Sequence, residues 1–291
     1  MTTTKNDLAD SDARQVTSIL SDATSGTVEI RFLGTAAFEI VTANGVRLLI
    51  DPFLEENAES PIKVADLGQL DLLIVTHAAY DHLGDTLDIM KRWPDVMCIA
   101  GVDVRGYLMA QGIAGERIWS SPWGMKIAVA GVTVKPVYSR HWSYIQGPDG
   151  VPYSSIPMGY IVYASETCRI YHSGDTALFS DMKLIAEFDE PTVGLLNVGF
   201  PRNHLGAKHG VPDYLSGEMD AREAARAVEW LGIETAIPCH HDDVKLPEIV
   251  EFAARVVALD DVDGAILEPG QSHVATADAG WSLSDTWSAE S

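Results

Sequence analysis

Cysteine is scarce in this chain: Cys98, Cys168 and Cys239 are the only three among 291 residues, and no two are closely spaced. That count excludes a disulfide framework and a cysteine-rich zinc site. Positive charge is scarce as well. Lys and Arg number 20 against 42 Asp and Glu, for a net charge of −22. A field of that sign repels phosphate backbones, so nucleic acid is excluded as an expected partner. Long apolar runs are also missing. The chain is 46% hydrophobic, yet no stretch approaches the roughly 20 residues of a membrane span. The opening MTTTKNDLADSDARQ has no apolar core of the kind a secretory signal needs. The expectation is a soluble, reduced, cytoplasmic protein that acts on a small molecule and engages neither nucleic acid nor membrane.

Apolar patterning predicts one folded domain, residues 26–275, between a polar, mobile segment at 1–25 and a tail at 276–291. VEIRFL alternates apolar and charged residues as a half-buried strand does. FEIVTANGVRLLIDP reads as a hairpin turning at Asn44-Gly45, and Asp51-Pro52 ends its second strand. DLLIVTH is a continuous apolar run, hence a strand covered on both faces. Helical patterns follow at 85–92 and 104–110, with the strand VMCIAG between them. A second hairpin turns at Ala130-Gly131, and GYIVYA pairs with RIYHSGDT. Beyond it helices at 181–187, 219–231 and 247–258 alternate with the strands VGLLNVG and TAIPCHH, and AILEPGQS forms a last strand and turn. Hairpins followed by alternating strands and helices, twice over, predict an α/β fold of two face-to-face sheets with helices outside. Residues 201–218 are the longest stretch without periodicity, and ordered loops of that length are often functional.

Polar residues gather where strands end. His77, Asp81 and His82 follow DLLIVT, His141 follows VTVKPVYSR, Asp175 follows IYHSG, and His240 follows TAIPC. Taken singly, each has an ordinary reading: a loop histidine making hydrogen bonds, or an aspartate capping a turn or a helix. Taken together, His and Asp at four strand ends have the composition of a site for Zn2+, with Mn2+ or Fe2+ as alternatives.

THAAYDHLGD resembles the T-H-x-H-x-D-H metal signature of the metallo-β-lactamase superfamily. IYHSGDTALFSDMKLIAE resembles a segment of its UlaG-like branch, the ascorbate-6-phosphate lactonase relatives, and AIPCHH resembles that branch's late metal-binding histidine. The resemblance runs from about residue 27 to 273 and implies a four-layer αββα sandwich. It implies that His77 and His141 bind one metal, that Asp81, His82 and His240 bind a second, and that Asp175 bridges both. Asp81, His82 and Asp175 are thereby the expected catalytic residues of a hydrolase. Cys239 reads as a small buried residue rather than a ligand.

The sequence departs from the signature at one position: where the second histidine belongs, it has Ala79. The expectation is one tight metal site and a second that is weak or altered. His204 and His209, in the aperiodic loop, and His172 are candidates for completing it; His172 is equally a group that orients Asp175. Trp142, Tyr144, His204 and His209 are the expected substrate contacts. The implied reaction is hydrolysis of a small ester, lactone or activated aryl ether. A weakly catalytic or non-catalytic subunit partnering an intact homologue, a phosphodiesterase and a metal-dependent oxidoreductase stand as alternatives. A homo-oligomer is expected, or a hetero-oligomer with such a homologue.

Overall fold

A computed structural model describes residues 26–148, 150–199, 217–241, 243–276 and 280–284. The chain opens as an antiparallel meander, β1 (Val28–Gly34), β2 (Ala37–Val41) and β3 (Arg47–Ile50), in which Phe38 pairs with Ile50. It then turns to parallel pairing through β4 (Leu72–Ile74), α1 (Tyr80–Leu83), α2 (Thr86–Arg92), β5 (Met97–Ile99), α3 (Val102–Ala110) and β6 (Ile118–Trp119). The second sheet begins with the hairpin β7 (Ile127–Val129) and β8 (Val132–Tyr138). A small separate hairpin, β9 (Ser143–Gln146) and β10 (Pro152–Ser155), interrupts it. It continues with β11 (Met158–Tyr163), β12 (Arg169–His172), α4 (Met182–Asp189), β13 (Val193–Asn197), α5 (Ala221–Leu231), β14 (Thr235–Cys239), α6 (Pro247–Val256) and β15 (Asp263–Gly264). The chain returns to the first sheet as β16 (Ser272–Thr276) and β17 (Gly280–Ser284).

Three apolar clusters define four layers. Ile30, Phe32, Leu48 and Ile74 of the first sheet meet Val134, Tyr160, Ile170, Leu195 and Ile237 of the second in the central core. The outer face of the first sheet buries Leu49, Leu73 and Cys98 against Ile89, Met90, Val104 and Leu108 of α2 and α3. The outer face of the second buries Ile161, Tyr171 and Leu196 against Met182, Val228 and Phe252 of α4, α5 and α6. This is the αββα sandwich. Buried on both sides, β4, β13 and β14 can be uniformly apolar, which is why periodicity alone marked them so clearly.

The end of the chain differs from expectation. AILEPGQS forms no strand of its own: β15 ends just before it at Gly264, Pro269 has no N–H to give a ladder, and Gln271 folds back on Glu268, its N–H donating to the Glu268 carbonyl at 2.9 Å. Pairing resumes at Ser272, and β17 draws part of the segment read as a tail into the sheet. The hairpin β9/β10 was not anticipated either; SYIQ and PYSS are short and mix polar and apolar residues with no clean alternation to betray them. The segment 1–25 lies outside the described residues.

Candidate metal centre

Each polar residue of interest sits just past the C-terminal end of a strand, and both sheets contribute. β4 leads into Thr76 and His77; α1 then carries Asp81 and His82 one turn away. β8, β12 and β14 lead into His141, Asp175 and His240. The turn before Asp175 requires Gly174: its φ is +55°, and a Cβ there would stand 3.0 Å from Thr76 Cβ and 2.9 Å from the Met158 carbonyl oxygen. The β12 end is thus pressed against the β4 end.

Asp51, at the end of β3, organises this meeting. It is fully buried and holds a left-handed backbone, φ 46°, a conformation that costs a non-glycine residue about 1–3 kcal/mol. Its contacts enforce it. The Asp51 N–H donates to the Ile74 carbonyl at 2.9 Å. Oδ1 accepts the Thr76 N–H at 2.8 Å; Oδ2 accepts the Thr76 hydroxyl at 2.7 Å and lies 2.7 Å from His82 Nδ1. Thr76 Oγ1, its hydrogen committed to Asp51, stands 3.1 Å from His77 Nδ1. Both imidazoles therefore turn Nε2 toward Asp175. His240 is left-handed too, φ 65°, with its N–H donating to the Thr35 carbonyl at 2.5 Å.

Asp175 is the hub. Its Oδ2 lies 3.2 Å from His82 Nε2, 3.8 Å from His77 Nε2 and 4.0 Å from His141 Nε2; its Oδ1 lies 3.3 Å from His240 Nε2. His240 Nε2 is also 3.6 Å from Asp81 Oδ2. Two ligand groups result: His77, His141 and Asp175, and Asp81, His82 and His240, the donor atoms of each lying within 4.8 Å of one another. All six residues anticipated from strand-end placement are thus brought together.

Charge is distributed unevenly over the centre. Burial drives His77 down to about 3, and burial also lowers His141, although Asp175 and Glu218 pull it the other way. Burial opposes charge on His240 and His82 as well, but Asp175 outweighs it; His240 is carried up to about 10 and His82 well above its ordinary value, with Asp51 and Asp81 adding to the latter. Burial likewise resists ionisation of Asp175, yet His240 and His82 hold it well below the usual carboxylate range. Asp81 is lowered against its own burial by His82 and His240.

The donors fit a divalent cation. Nε2 of His77 is sealed from water and makes no hydrogen bond. A buried ring nitrogen without a partner costs on the order of 1–3 kcal/mol, and a cation beside Asp175 would satisfy it. Four imidazoles and two carboxylates suit Zn2+, Mn2+ or Fe2+.

The other histidines divide. His172 accepts the Gly174 N–H on Nδ1 at 3.0 Å, leaving Nε2 to donate to the Ala36 carbonyl at 3.0 Å. With both nitrogens engaged it cannot complete the first group; it steadies the turn that presents Asp175. His204 and His209 lie outside the described residues. Ala79 caps α1, half-buried, and brings no donor to either group. Cys239 is buried, its thiol pushed well above its ordinary value by burial. Trp142 is 72% exposed with its ring 6.3 Å from that of His141. Tyr144 and Tyr80 are exposed nearby in sequence, and Tyr80 packs edge-on to Phe53. Sequence reasoning missed Asp51 and Thr76. The available signal was an aspartate directly after the apolar run Leu48–Ile50, which reads equally well as a turn former.

Known proteins resemble this chain in sequence and fold. Residues 46–241 match the model of a beta-lactamase superfamily domain. A UPF0173 metal-dependent hydrolase of Methanopyrus kandleri is 38% identical over 251 residues, covering 84% of this chain and 99% of the relative. One of Rubrobacter xylanophilus is 32% identical over 251 residues, covering 84% and 96%. Among solved structures, Igni18, a metallo hydrolase from Ignicoccus hospitalis, superposes with a TM-score of 0.67 at 25% identity, covering 86% of this chain and 98% of that one.

Proposed function

The chain belongs to the metallo-β-lactamase superfamily and is one of its metal-dependent hydrolases, and from that premise we propose that it cleaves a small ester, lactone or activated aryl ether at the His/Asp centre. The observation that carries this reading is Asp175, which forms one ligand group with His77 and His141 and stands 3.2 Å from His82 and 3.3 Å from His240 of the other. His77, His141 and Asp175 would hold one ion and Asp81, His82 and His240 the other, with Asp175 shared between them, Zn2+ the first choice and Mn2+ or Fe2+ the alternatives. A bound divalent ion supplies hydroxide near neutral pH by lowering the pKa of its water to roughly 7. Asp51 and Thr76 fix the His82 and His77 rings, so that both Nε2 atoms point at Asp175. Asp81, ionised and at the edge of the buried centre, is placed to accept a hydrogen from water and return it to the leaving oxygen.

The exposed aromatic side chains of Trp142, Tyr144 and Tyr80 favour an apolar ring or acyl group at the mouth. The acidic surface disfavours a phosphorylated substrate, and with it the phosphodiesterase alternative. The subunit alternative rests on Ala79 alone, and all six other ligand-type residues are in place. The test is a panel of lactones, carboxyl esters and aryl ethers, assayed against metal content measured by elemental analysis. Hydrolysis of at least one class, lost in Asp175→Ala, supports the reading. No turnover by a metal-replete protein across the panel would sink it in favour of the subunit or oxidoreductase alternatives.

A further inference from the structure

Asp103 is a carboxylate with 3% of its surface exposed and, among the described residues, no cation against it. Burying such a group is expensive unless its oxygens are filled. Oδ1 accepts the Val104 N–H at 2.9 Å. Oδ2 accepts the hydroxyl of Ser143. The same hydroxyl oxygen accepts the Ala78 N–H at 2.8 Å. A hydroxyl is the one short side-chain group that can donate to a carboxylate and accept from an amide at once. Ser143, itself 2% exposed, does both.

The position of this relay matters more than its strength. Ala78 directly follows His77, and Ser143 lies two residues beyond His141. These are the two histidines of the group that lacks an imidazole at position 79. The relay starts from α3, to which the β9/β10 hairpin is fitted closely: a Cβ on Gly106 would stand 2.9 Å from the Tyr153 ring. Two loops that leave different sheets are therefore pinned to one helix, a residue or two from the ligands they carry. A site with three protein ligands has less redundancy than one with four, and its affinity depends more on how those ligands are held before the ion arrives.

We propose that Asp103 and Ser143 are positioning residues of the His77/His141/Asp175 group, clamping its two histidine loops at the spacing that lets a three-ligand site retain an ion. The proposal rests on the metal-centre reading above. Zn2+ titration of the metal-free full chain by calorimetry, read as two binding events, tests both at once. Thermal melting of the metal-free forms serves as the folding control. Ser143→Ala strands the Asp103 oxygen and the Ala78 amide together. It is expected to weaken the binding event belonging to His77 and His141 by about 10–100-fold and to leave the other within about twofold. Ser143→Thr keeps the hydroxyl and restores wild-type binding. Asp103→Asn, a milder change should Ser143→Ala fail to fold, weakens the same event by a smaller factor. Equal Zn2+ binding by Ser143→Ala, or by Asp103→Asn where that variant stands in, and the wild type overturns the clamp and leaves the metal centre standing. Loss of both events in equal measure also overturns it, since a general disturbance has no preference between the groups. A wild-type chain that takes up no Zn2+ removes the centre itself, and the clamp with it.

Discussion

His77 and His82 lie side by side, their ring centroids 4.1 Å apart, both fully buried and both facing Asp175. Yet burial leaves His77 neutral, down at about 3, whereas His82 is held well above its ordinary value. Asp175 stands 3.2 Å from His82 Nε2 and 3.8 Å from His77 Nε2, and it is the main group holding His82 up. Asp51 adds to it at His82 Nδ1, whereas His77 Nδ1 meets only the hydroxyl of Thr76 and its ring faces the charge on His82. The same division runs through the centre. His77 and His141 are lowered, while His82 and His240 are raised with Asp81 and Asp175 around them. Ligand groups alike in composition thus differ in what occupies them before a metal arrives: lone pairs in one, protons in the other.

The hardest test of that division removes the residue common to both sides. Asp175→Ala should abolish both binding events, leaving metal content at less than about a tenth of wild type and no detectable hydrolysis. Retention of one full equivalent would show that the groups do not share a hub.

Next in size is pH. The raised His240 and His82 hold their protons below their own elevated values, so metal must expel about two protons from Asp81/His82/His240 at pH 7. Affinity there should climb by about 100-fold per pH unit around neutrality, flattening as pH passes His240's value of about 10. The lowered His77 is already neutral above about 3, so the His77/His141 event should be nearly flat over the same window. Calorimetry in two buffers of different ionisation enthalpy counts the protons. Equal slopes for both events would break the comparison.

Asp51→Ala comes third. It removes the partner of His82 directly and that of His77 only through Thr76, so the Asp81/His82/His240 event should weaken by about 10–100-fold and the other by less. The reverse order would assign Asp51 to the wrong group. The mildest change is Ala79→His, which offers the first group a fourth donor. A rise of about tenfold in that event, with no change in the other, is the expected result of a Zn2+ titration. No rise would mean that position 79 does not face the centre.

Six ligand-type residues were legible because four strands each lead into His or Asp, a joint placement that the ordinary reading of any one residue does not explain. The layers were legible because β4, β13 and β14 advertise burial on both faces. Asp51, Thr76, Asp103 and Ser143 were not legible. They are tied together by hydrogen bonds such as Asp51 to Thr76, Asp103 to Ser143 and Ser143 to Ala78, spanning 25 to 65 positions, and no local pattern records such a pairing. Asp51 in particular looks like a turn former until its left-handed backbone and three accepted hydrogens are seen. The β9/β10 hairpin escaped because its two four-residue strands are too short and too mixed to carry a period.

The placement of the ligands at the ends of strands from both sheets has a mechanical side. From His77 to His240 the backbone runs for about 160 residues, so an ion bound between them would close a very large loop, as a crosslink does, but reversibly. Closing loops of that size removes much of the freedom of an unfolded chain. An ion that binds only the folded form adds about 4 kcal/mol once its free concentration reaches a thousand times its dissociation constant. Metal supply would then govern how long the molecule survives as well as how fast it turns over. A chelator would act on it much as a reductant acts on a disulfide-bonded protein, loosening the seam between the two sheets.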